Sequence, residues 1–255
     1  MSLPALTGCL SAQAAGAGGG GCSITVAANM NHWWKLNDGT TTATDVGAAS
    51  VTRRNITWNA VTTTSNGNRS GNEDVIAFQG ANDSSGTTAS VSPTSFGISN
   101  LVTYSLWIKP TAAFVNYDTI FFCGHASSWA TGIGLFFHND SGAKFKFRTG
   151  GYSTSFSYTA APAQDTWSHV ACVFDYASTR REIWINGVKG TDGGTIDAAG
   201  VTGNARFAIG ASIPGDTGTI SYEFEGELSD FRIYDIALSQ AQIENIYCEG
   251  SGDWP

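Results

Sequence analysis

The chain has 255 residues, of which 42% are hydrophobic and 12% aromatic, enough to form the core of one large domain. Only 13% of the residues are charged, and the net charge of -8 comes without a run of Lys or Arg that would form a phosphate-binding patch. We therefore expect no nucleic-acid partner. We also expect no membrane insertion, because no apolar stretch reaches the length of about 18 residues that a transmembrane helix needs.

The first thirty residues differ in character from the rest of the chain. Residues 1–30 carry no charge and include the run AGAGGGG at Ala15–Gly21, which has too few side chains to form a core. We predict a neutral Gly-rich arm or linker here, then a domain over residues 31–250 and a tail over 251–255. Two interpretations of the arm stay open: it docks on a neighbouring subunit, or it is a disordered leader.

The five cysteines show no CxxC or metal-ligand spacing, and their odd number leaves at least one without a partner in the chain. Cys123 and Cys172 lie in apolar strand patterns and are predicted to be buried free thiols. Cys9 and Cys22 flank the Gly run and could bridge each other or another chain. Leu6–Cys9 resembles a bacterial lipobox, but no Lys or Arg and no long apolar segment precede it, so no secretion signal is predicted.

From Asn31 onward, short runs of alternating apolar residues separated by Gly, Asn and Ser turns predict strands rather than helices. Strand residues begin with the aromatic segment at His32, and Leu101–Pro110 alternates clearly before a proline ends it. Ala143–Arg148 forms the second strand of a hairpin, with one face predicted to be exposed and the other buried. Further strands are predicted at Ile56–Trp58, Val75–Phe78, Asp118–Cys123, Gly132–His138, Phe156–Tyr158 and Arg206–Gly210.

The segment WSHVACVFDYASTRREIWINGV, Trp167–Val188, predicts a β-hairpin. Val170, Cys172 and Phe174 fall on one face of its first strand, and the intervening residues on the other face are not strongly polar either. Such a strand is expected between two packed layers. Asn186–Gly187 supplies the positive φ angles of a tight turn, so another strand should follow at once.

The C-terminal segment predicts a strand pair and then a short helix over Gln240–Tyr247. Ser239 and Gln242 form a capping box, and Leu238 with Ile243 forms a hydrophobic staple. We expect the helix to cover one end of the fold. The chain is thus predicted to be all-β, with two packed antiparallel sheets and one short C-terminal helix.

Taken in order, several segments carry a family resemblance: HWWKLNDGTTTATDVG, YSLWIKP, WSHVACVFD, REIWINGV, FAIG and FEGELSDFRIYDIALSQAQIENIY. The chain resembles the laminin G-like, concanavalin A-like lectin-glucanase jelly-roll family over about residues 31–247. The resemblance implies a jelly-roll sandwich of two curved antiparallel sheets, in agreement with the strand pattern. Members are mostly non-catalytic modules that bind glycans or proteins, and some hold a calcium ion.

The resemblance also implies where a Ca²⁺ ion would bind. The family's metal-associated positions fall on Asp45, in ATDVG, and in GELSD, where Ser229 replaces the usual aspartate and Asp230 follows it. A calcium site would combine Asp45 or Asp230 with backbone carbonyl oxygens. The alternative is that these aspartates cap local backbone turns.

Glycan binding would use aromatic rings on loops, because a flat ring stacks on a sugar face while neighbouring amides form hydrogen bonds. The alternative is that these aromatic residues pack beneath their own loops. The predicted ligand-binding residues are Phe114, Tyr117, Trp129, Tyr152, Asn116 and Asn139.

A hydrolase is a second alternative, because Glu223, Glu225 and Glu227 alternate along one strand face about 6.6 Å apart. This resembles the acidic strand of concanavalin-like glucanases, although those enzymes have aspartate where Glu225 stands. In the laminin G-like pattern the same stretch is an edge strand with a glycine bulge at Gly226. His169 is predicted to be a hydrogen-bonded structural imidazole. We therefore predict that the protein is not an enzyme.

We predict a non-catalytic module on the virion surface or outside the cell. Because no secretion signal is predicted, release within a phage particle would bring the module to a surface. Residues 1–30 would then anchor it to other protein subunits of a capsid, tail or fibre, and the domain would face outward with affinity for cell-surface glycans. The alternative is a secreted bacterial carbohydrate-binding or adhesion module.

Overall fold

The computed structural model describes residues 29–47, 52–65, 67, 74–82, 84–89, 100–124, 132–139, 144–149, 156–193, 206–213 and 219–251. The predicted arm lies almost wholly outside these residues, as do Cys9, Cys22, Trp129 and Tyr152. Within the described part of the chain, no helix combines the length and the apolarity needed to span a membrane.

The described residues form two antiparallel sheets and one helix, which confirms the predicted all-β sandwich. The elements are β1 Met30–Trp34, β2 Thr42–Ala43, β3 Ile56–Asn59, β4 Thr62–Thr64, β5 Val75–Gln79, β6 Ser85–Thr87, β7 Leu101–Pro110, β8 Thr119–Gly124, β9 Gly132–His138, β10 Lys144–Thr149, β11 Phe156–Ala160, β12 Ser168–Asp175, β13 Arg180–Ile185, β14 Val188–Lys189, β15 Thr191–Gly193, β16 Phe207–Ile209, β17 Glu225–Tyr234 and α1 Gln240–Ser251. One sheet has the order β14-β13-β12-β7-β17-β5-β4, with β1 also pairing β17, and the other has the order β15-β11-β10-β9-β8-β16-β6-β3-β2.

Strand β12 lies between two packed layers, as its sequence predicts. Val170, Cys172 and Phe174 point into the main core between the sheets. Ala171 and Val173 point to the other side, into a smaller apolar cluster that includes residues of α1. Burial on both faces explains why the strand carries few polar residues. The turn at Asn186–Gly187 has φ values of 50° and 76°, which confirms the predicted tight turn.

Helix α1 begins with the predicted capping box. The Ser239 N–H donates to Gln242 Oε1 at 2.9 Å, and the Gln242 N–H donates to Ser239 Oγ at 3.3 Å. The predicted staple residues Leu238 and Ile243 share one apolar cluster with Trp184. The helix was expected to cover an end of the sandwich, but it packs on the outer face of the sheet that contains β12 and β13.

Two predictions about the acidic segment are wrong. Strand β17 is not an edge strand, because β7 pairs with it on one side and β5 and β1 pair with it on the other. The bulge is not at Gly226, which pairs regularly with Phe78 and Pro110. The register shifts instead between Ser229 and Arg232, where Asp230 has a φ of 58°.

Strand β10 also departs from its prediction. Its basic face was expected to be exposed, yet Lys146 is only 4% and Arg148 only 7% exposed. Lys146 lies opposite Phe136 on one side and Tyr158 on the other, so its aliphatic stem packs between aromatic neighbours. The alternation of residues along β10 does not by itself predict that neighbouring strands bury its basic face.

The three cysteines among the described residues divide into two classes. Cys123 and Cys172 are free and buried, as predicted, and burial raises the pKa of the Cys123 thiol to about 12. Burial also raises the pKa of the Cys172 thiol, so both groups are poor nucleophiles. Cys248 is disulfide-bonded, which was not predicted.

Gly86 gives a direct test of core packing. It lies opposite Trp58, and a Cβ added at Gly86 would come within 2.0 Å of the Trp58 ring. We expect Gly86→Ala to lower the free energy of unfolding by about 2 kcal/mol through overpacking, measured by chemical denaturation. Thr57→Ala, at an exposed position on the same sheet, is the matched control, and an equal loss in both variants would contradict this account.

Candidate functional site

Four of the six predicted ligand-binding residues lie at one end of the sandwich. Phe114, Asn116 and Tyr117 belong to the loop that joins β7 to β8, and Asn139 directly follows β9. Asn116 Oδ1 accepts a hydrogen bond from the Asn139 N–H at 3.1 Å, so the two segments are joined directly. Trp129 and Tyr152 lie outside the described residues.

Tyr117, His138 and Tyr222 form a group of contacting rings, called here the Tyr117 cluster. The Tyr117 ring lies edge-on to His138 at a centroid distance of 4.8 Å and is tilted against Tyr222 at 5.1 Å. Tyr222 is 41% exposed, and Tyr117 and His138 are half-buried. Val115, in the same loop, is 66% exposed. The surface is therefore apolar and open to solvent, with Asn side chains beside it.

Backbone hydrogen bonds fix the positions of the two tyrosines. The Tyr117 N–H donates to the Phe137 carbonyl at 2.9 Å, and the Thr119 N–H donates to the Tyr222 carbonyl at 2.9 Å. Tyr117 and Tyr222 have φ values of 76° and 60°, a region that few residues other than glycine occupy. Surrounding contacts must compensate such conformations, which cost about 1–3 kcal/mol each. The backbone of both tyrosines is thus held in a defined conformation by these contacts.

Phe114 supports this loop from below. Its ring stacks on Phe137 at 5.2 Å and on Phe224 at 6.0 Å, and it packs against the main core. Phe114 thus packs beneath its own loop, which was the alternative to a ligand-binding role in the sequence analysis. A ligand role for Phe114 stays a prediction.

Three carboxyl groups lie beside the cluster. Asp118 and Glu223 directly follow Tyr117 and Tyr222 in the chain, and Glu223 forms a backbone bridge with Thr119. Burial, together with the charges of Glu225 and Glu223, raises the pKa of Asp118 from 3.8 to about 6, although the Val115 N–H donates to its carboxylate at 2.7 Å. The site is therefore electronegative.

The raised pKa of Asp118 predicts a pH-dependent stability. Because the pKa of Asp118 is about 6 in the folded chain and 3.8 ordinarily, the folded chain binds this proton more tightly than the unfolded chain does. The stabilisation that comes from protonated Asp118 is thus fully present below pH 3.8 and is lost as the pH rises through 6. We expect Asp118→Asn to gain Tm relative to the wild type between pH 4.5 and pH 7.5, measured by thermal denaturation. An identical Tm difference at both pH values would contradict the assignment.

The three glutamates of the hydrolase alternative do not share one environment. Glu227 is 5% exposed and accepts a hydrogen bond from Lys109 Nζ at 2.9 Å, so an ion pair holds its carboxylate. Glu225 is exposed, whereas Glu223 is half-buried.

Asp45 is fully buried, and its carboxylate is surrounded by hydrogen-bond donors. Its carboxylate is 2.6 Å from His32 Nδ1 and accepts the N–H groups of Trp33, Gly47 and Arg54 at 3.1, 3.0 and 2.8 Å. These contacts match the turn-capping alternative.

Asp230 does not join Asp45 in a shared oxygen site. Its carboxylate accepts hydrogen bonds from Trp33 Nε1 at 2.6 Å and Arg232 Nε at 2.9 Å, and Arg232 Nη2 lies 2.8 Å away. Calcium needs six to eight oxygen ligands, and these donors occupy the lone pairs that it would use. The two aspartates therefore do not fit a calcium ion in this arrangement. No group of three or more His, Cys, Asp or Glu within the described ranges has a metal-binding arrangement either.

The chain matches the concanavalin A-like lectin/glucanases superfamily over residues 82–244, more than half of its length. The chain belongs to this superfamily. The match includes the β7–β8 loop, Asn139 and Tyr222, and therefore the whole Tyr117 cluster. No curated protein is matched in sequence by this chain.

Solved structures share the fold of this superfamily member at low sequence identity. Domain 4 of AbnA, a GH43 extracellular arabinanase from Geobacillus stearothermophilus, in complex with arabinotriose, is 19% identical with a TM-score of 0.59, covering 86% of this chain and 98% of that domain. The binding domain of Botulinum Neurotoxin DC in complex with SialylT is 12% identical with a TM-score of 0.61, covering 89% and 52%. Trypanosoma rangeli sialidase is 11% identical with a TM-score of 0.60, covering 87% of this chain but 33% of its own. At these identities the likeness concerns the fold alone.

Two residues of the cluster were missed by sequence reasoning. His138 appeared only as the last residue of the predicted strand Gly132–His138, and Tyr222 directly precedes the acidic segment that starts at Glu223. Neither residue was predicted to bind a ligand. Tyr117 and Tyr222 are far apart in the chain and meet only because the Thr119–Glu223 bridge brings their segments together. Exposed aromatics at strand ends were the available signal.

Proposed function

We propose that this chain is a carbohydrate-binding module that holds a saccharide against the Tyr117 cluster. The observation that carries the proposal is the group of three contacting rings at the end of the sandwich, with Asn116 and Asn139 beside it. A ring face stacks on the C–H groups of a sugar, and amides form hydrogen bonds with its hydroxyl groups.

Two structural neighbours support a saccharide ligand. The arabinanase domain was solved with arabinotriose, and the toxin domain is a binding domain solved with SialylT. A shared fold does not transfer a function, so the support for this chain rests on the rings themselves.

We propose further that the module binds without cleaving its ligand. Glycoside hydrolysis needs two carboxyl groups placed on either side of one bond. The ion pair between Glu227 and Lys109 engages one of the three candidate glutamates, which supports binding rather than catalysis.

The place of action proposed from the sequence is a virion surface or another extracellular surface, with residues 1–30 attaching the module to other subunits. The disulfide at Cys248 supports an oxidising environment. Deleting residues 1–28 and comparing particle mass with and without a candidate capsid lattice, by light scattering, tests the attachment. Only the full chain, and not the shortened one, should gain mass by joining the lattice. An equal particle mass of both chains in the presence of the lattice would refute this role.

A glycan array tests the binding function. The purified full chain should bind a subset of immobilised oligosaccharides, and soluble saccharide of the same kind should compete for that binding. Incubation of the bound saccharides with the protein should release no shorter product. Binding to none of the oligosaccharides would refute the proposed function, and release of a shorter product would refute the non-catalytic assignment.

A further inference from the structure

The charge around the Tyr117 cluster restricts the class of saccharide that it accepts. The Thr119–Glu223 bridge and the hydrogen bond from the Thr119 N–H to the Tyr222 carbonyl place the segments of Asp118 and Glu223 side by side. Besides burial, the charges of Glu225 and Glu223 both raise the pKa of Asp118, in agreement with this placement. Asp118 and Glu223 are each joined by one peptide bond to a tyrosine of the cluster. A ligand stacked on these tyrosines is therefore held beside several carboxyl groups.

Two lysines lie at strand ends near the Tyr117 cluster, Lys109 at the end of β7 and Lys144 at the start of β10. Neither offsets the negative charge of the carboxyl groups. Lys109 Nζ lies 2.9 Å from Glu227 Oε2 and is held in that ion pair. Lys144 is paired with His138 across β9 and β10, but its Nζ lies 3.9 Å from the centroid of the Tyr158 ring. Tyr158 is on β11, on the side of β10 that faces away from β9 and Tyr117. The ammonium group of Lys144 is thus directed away from the cluster.

We propose that the Tyr117 cluster binds neutral saccharides and discriminates against saccharides that carry carboxylate or sulfate groups. This inference rests on the proposed function, since it names the ligand class of the same site. A neutral sugar keeps the stacking and amide contacts, whereas an anionic sugar adds repulsion from the carboxylates. Like charges at a binding surface lower affinity for the wrong partner and do so less at high salt.

The test uses oligosaccharide pairs in which one member carries an added sialic acid with its carboxylate, lactose with 3′-sialyllactose and further neutral and sialylated pairs on one array. Because the sialic acid adds bulk as well as charge, the salt dependence and the charge variants isolate the effect of charge. We expect the neutral member of each bound pair to bind about tenfold more tightly at low salt. The difference should shrink as NaCl is raised, because salt screens exposed charges.

The variant Glu223→Gln/Glu225→Gln removes two of the charges while preserving side-chain shape. It should narrow the neutral-to-sialylated ratio, whereas Asp235→Asn, an exposed aspartate beyond the other end of β17, should leave the ratio unchanged. Equal or tighter binding of sialylated members, or a ratio that the double variant does not change, would overturn this inference and leave the proposed function standing. Absence of binding to every saccharide would overturn both.

Discussion

Replacing Asp45 by Asn is expected to lower the free energy of unfolding by about 3 kcal/mol, because it weakens the buried hydrogen bond with His32 and leaves several backbone N–H donors with a poorer acceptor. The carboxylate and His32 are both fully buried, and the pair is 2.6 Å apart. The carboxylate also fixes the backbone between β1 and Arg54 through three N–H groups. In a domain of this size the loss corresponds to roughly 10 °C in Tm, measured by calorimetry.

The pH dependence of Asp45 has the opposite sign to that of Asp118. Burial by itself raises the pKa of Asp45, but the hydrogen bonds from His32, Arg54 and Gly47 outweigh it and lower the pKa below 3.8. The stabilisation is present above the ordinary pKa and is lost as the pH falls through the lowered one.

Asp192→Asn removes an exposed carboxylate beside Lys189 and is the matched control for Asp45→Asn. A loss in Asp45→Asn no larger than in this control would contradict the role assigned to the buried pair.

Replacing Tyr222 by Ala is expected to weaken the proposed saccharide binding about tenfold or more, because an aromatic residue of the proposed binding surface is removed. The ring is 41% exposed, so the variant should keep a Tm close to that of the wild type. Alanine adopts the φ of 60° at a cost similar to that of tyrosine, and the backbone is expected to stay in place. Calorimetric titration with the saccharide that binds best on the array measures the effect.

Two further variants test whether the loss of affinity comes from the ring of Tyr222 and from its position in the Tyr117 cluster. Tyr222→Phe keeps the ring and should keep most of the affinity if stacking dominates. Tyr176→Ala removes a tyrosine that is 44% exposed at the opposite end of β7, near Asn100, and should bind as the wild type does. Equal losses in Tyr176→Ala and Tyr222→Ala would contradict a site at the Tyr117 cluster.

The central hairpin and the helix start could be predicted because their determinants are local. The apolar residues on both faces of β12 predicted its two packed faces, and Asn186–Gly187 predicted the tight turn. Ser239 with Gln242 predicted the cap of the helix. The position of β17 within its sheet was not predictable in this way. It depends on pairing with β7 and β5, which the residues of β17 do not encode by themselves.

The candidate site could be predicted in part. Loop position pointed to Tyr117 and the two asparagines, because binding residues concentrate on loops held by a rigid scaffold. The meeting of Tyr117 with Tyr222 and the high pKa of Asp118 both arise from contacts between distant segments. The burial of Lys146 likewise depends on neighbours across strands rather than on its own strand.

Chemical-shift mapping by NMR tests the central claim most directly. The saccharide that binds best on the array is titrated into isotope-labelled full chain, and the backbone amide resonances are followed. We expect the amides of Tyr117, His138, Asn139 and Tyr222 to shift together with a single dissociation constant, while those around Tyr176 stay in place. Saturable shifts confined to another surface, with the Tyr117 cluster unchanged, would contradict the account.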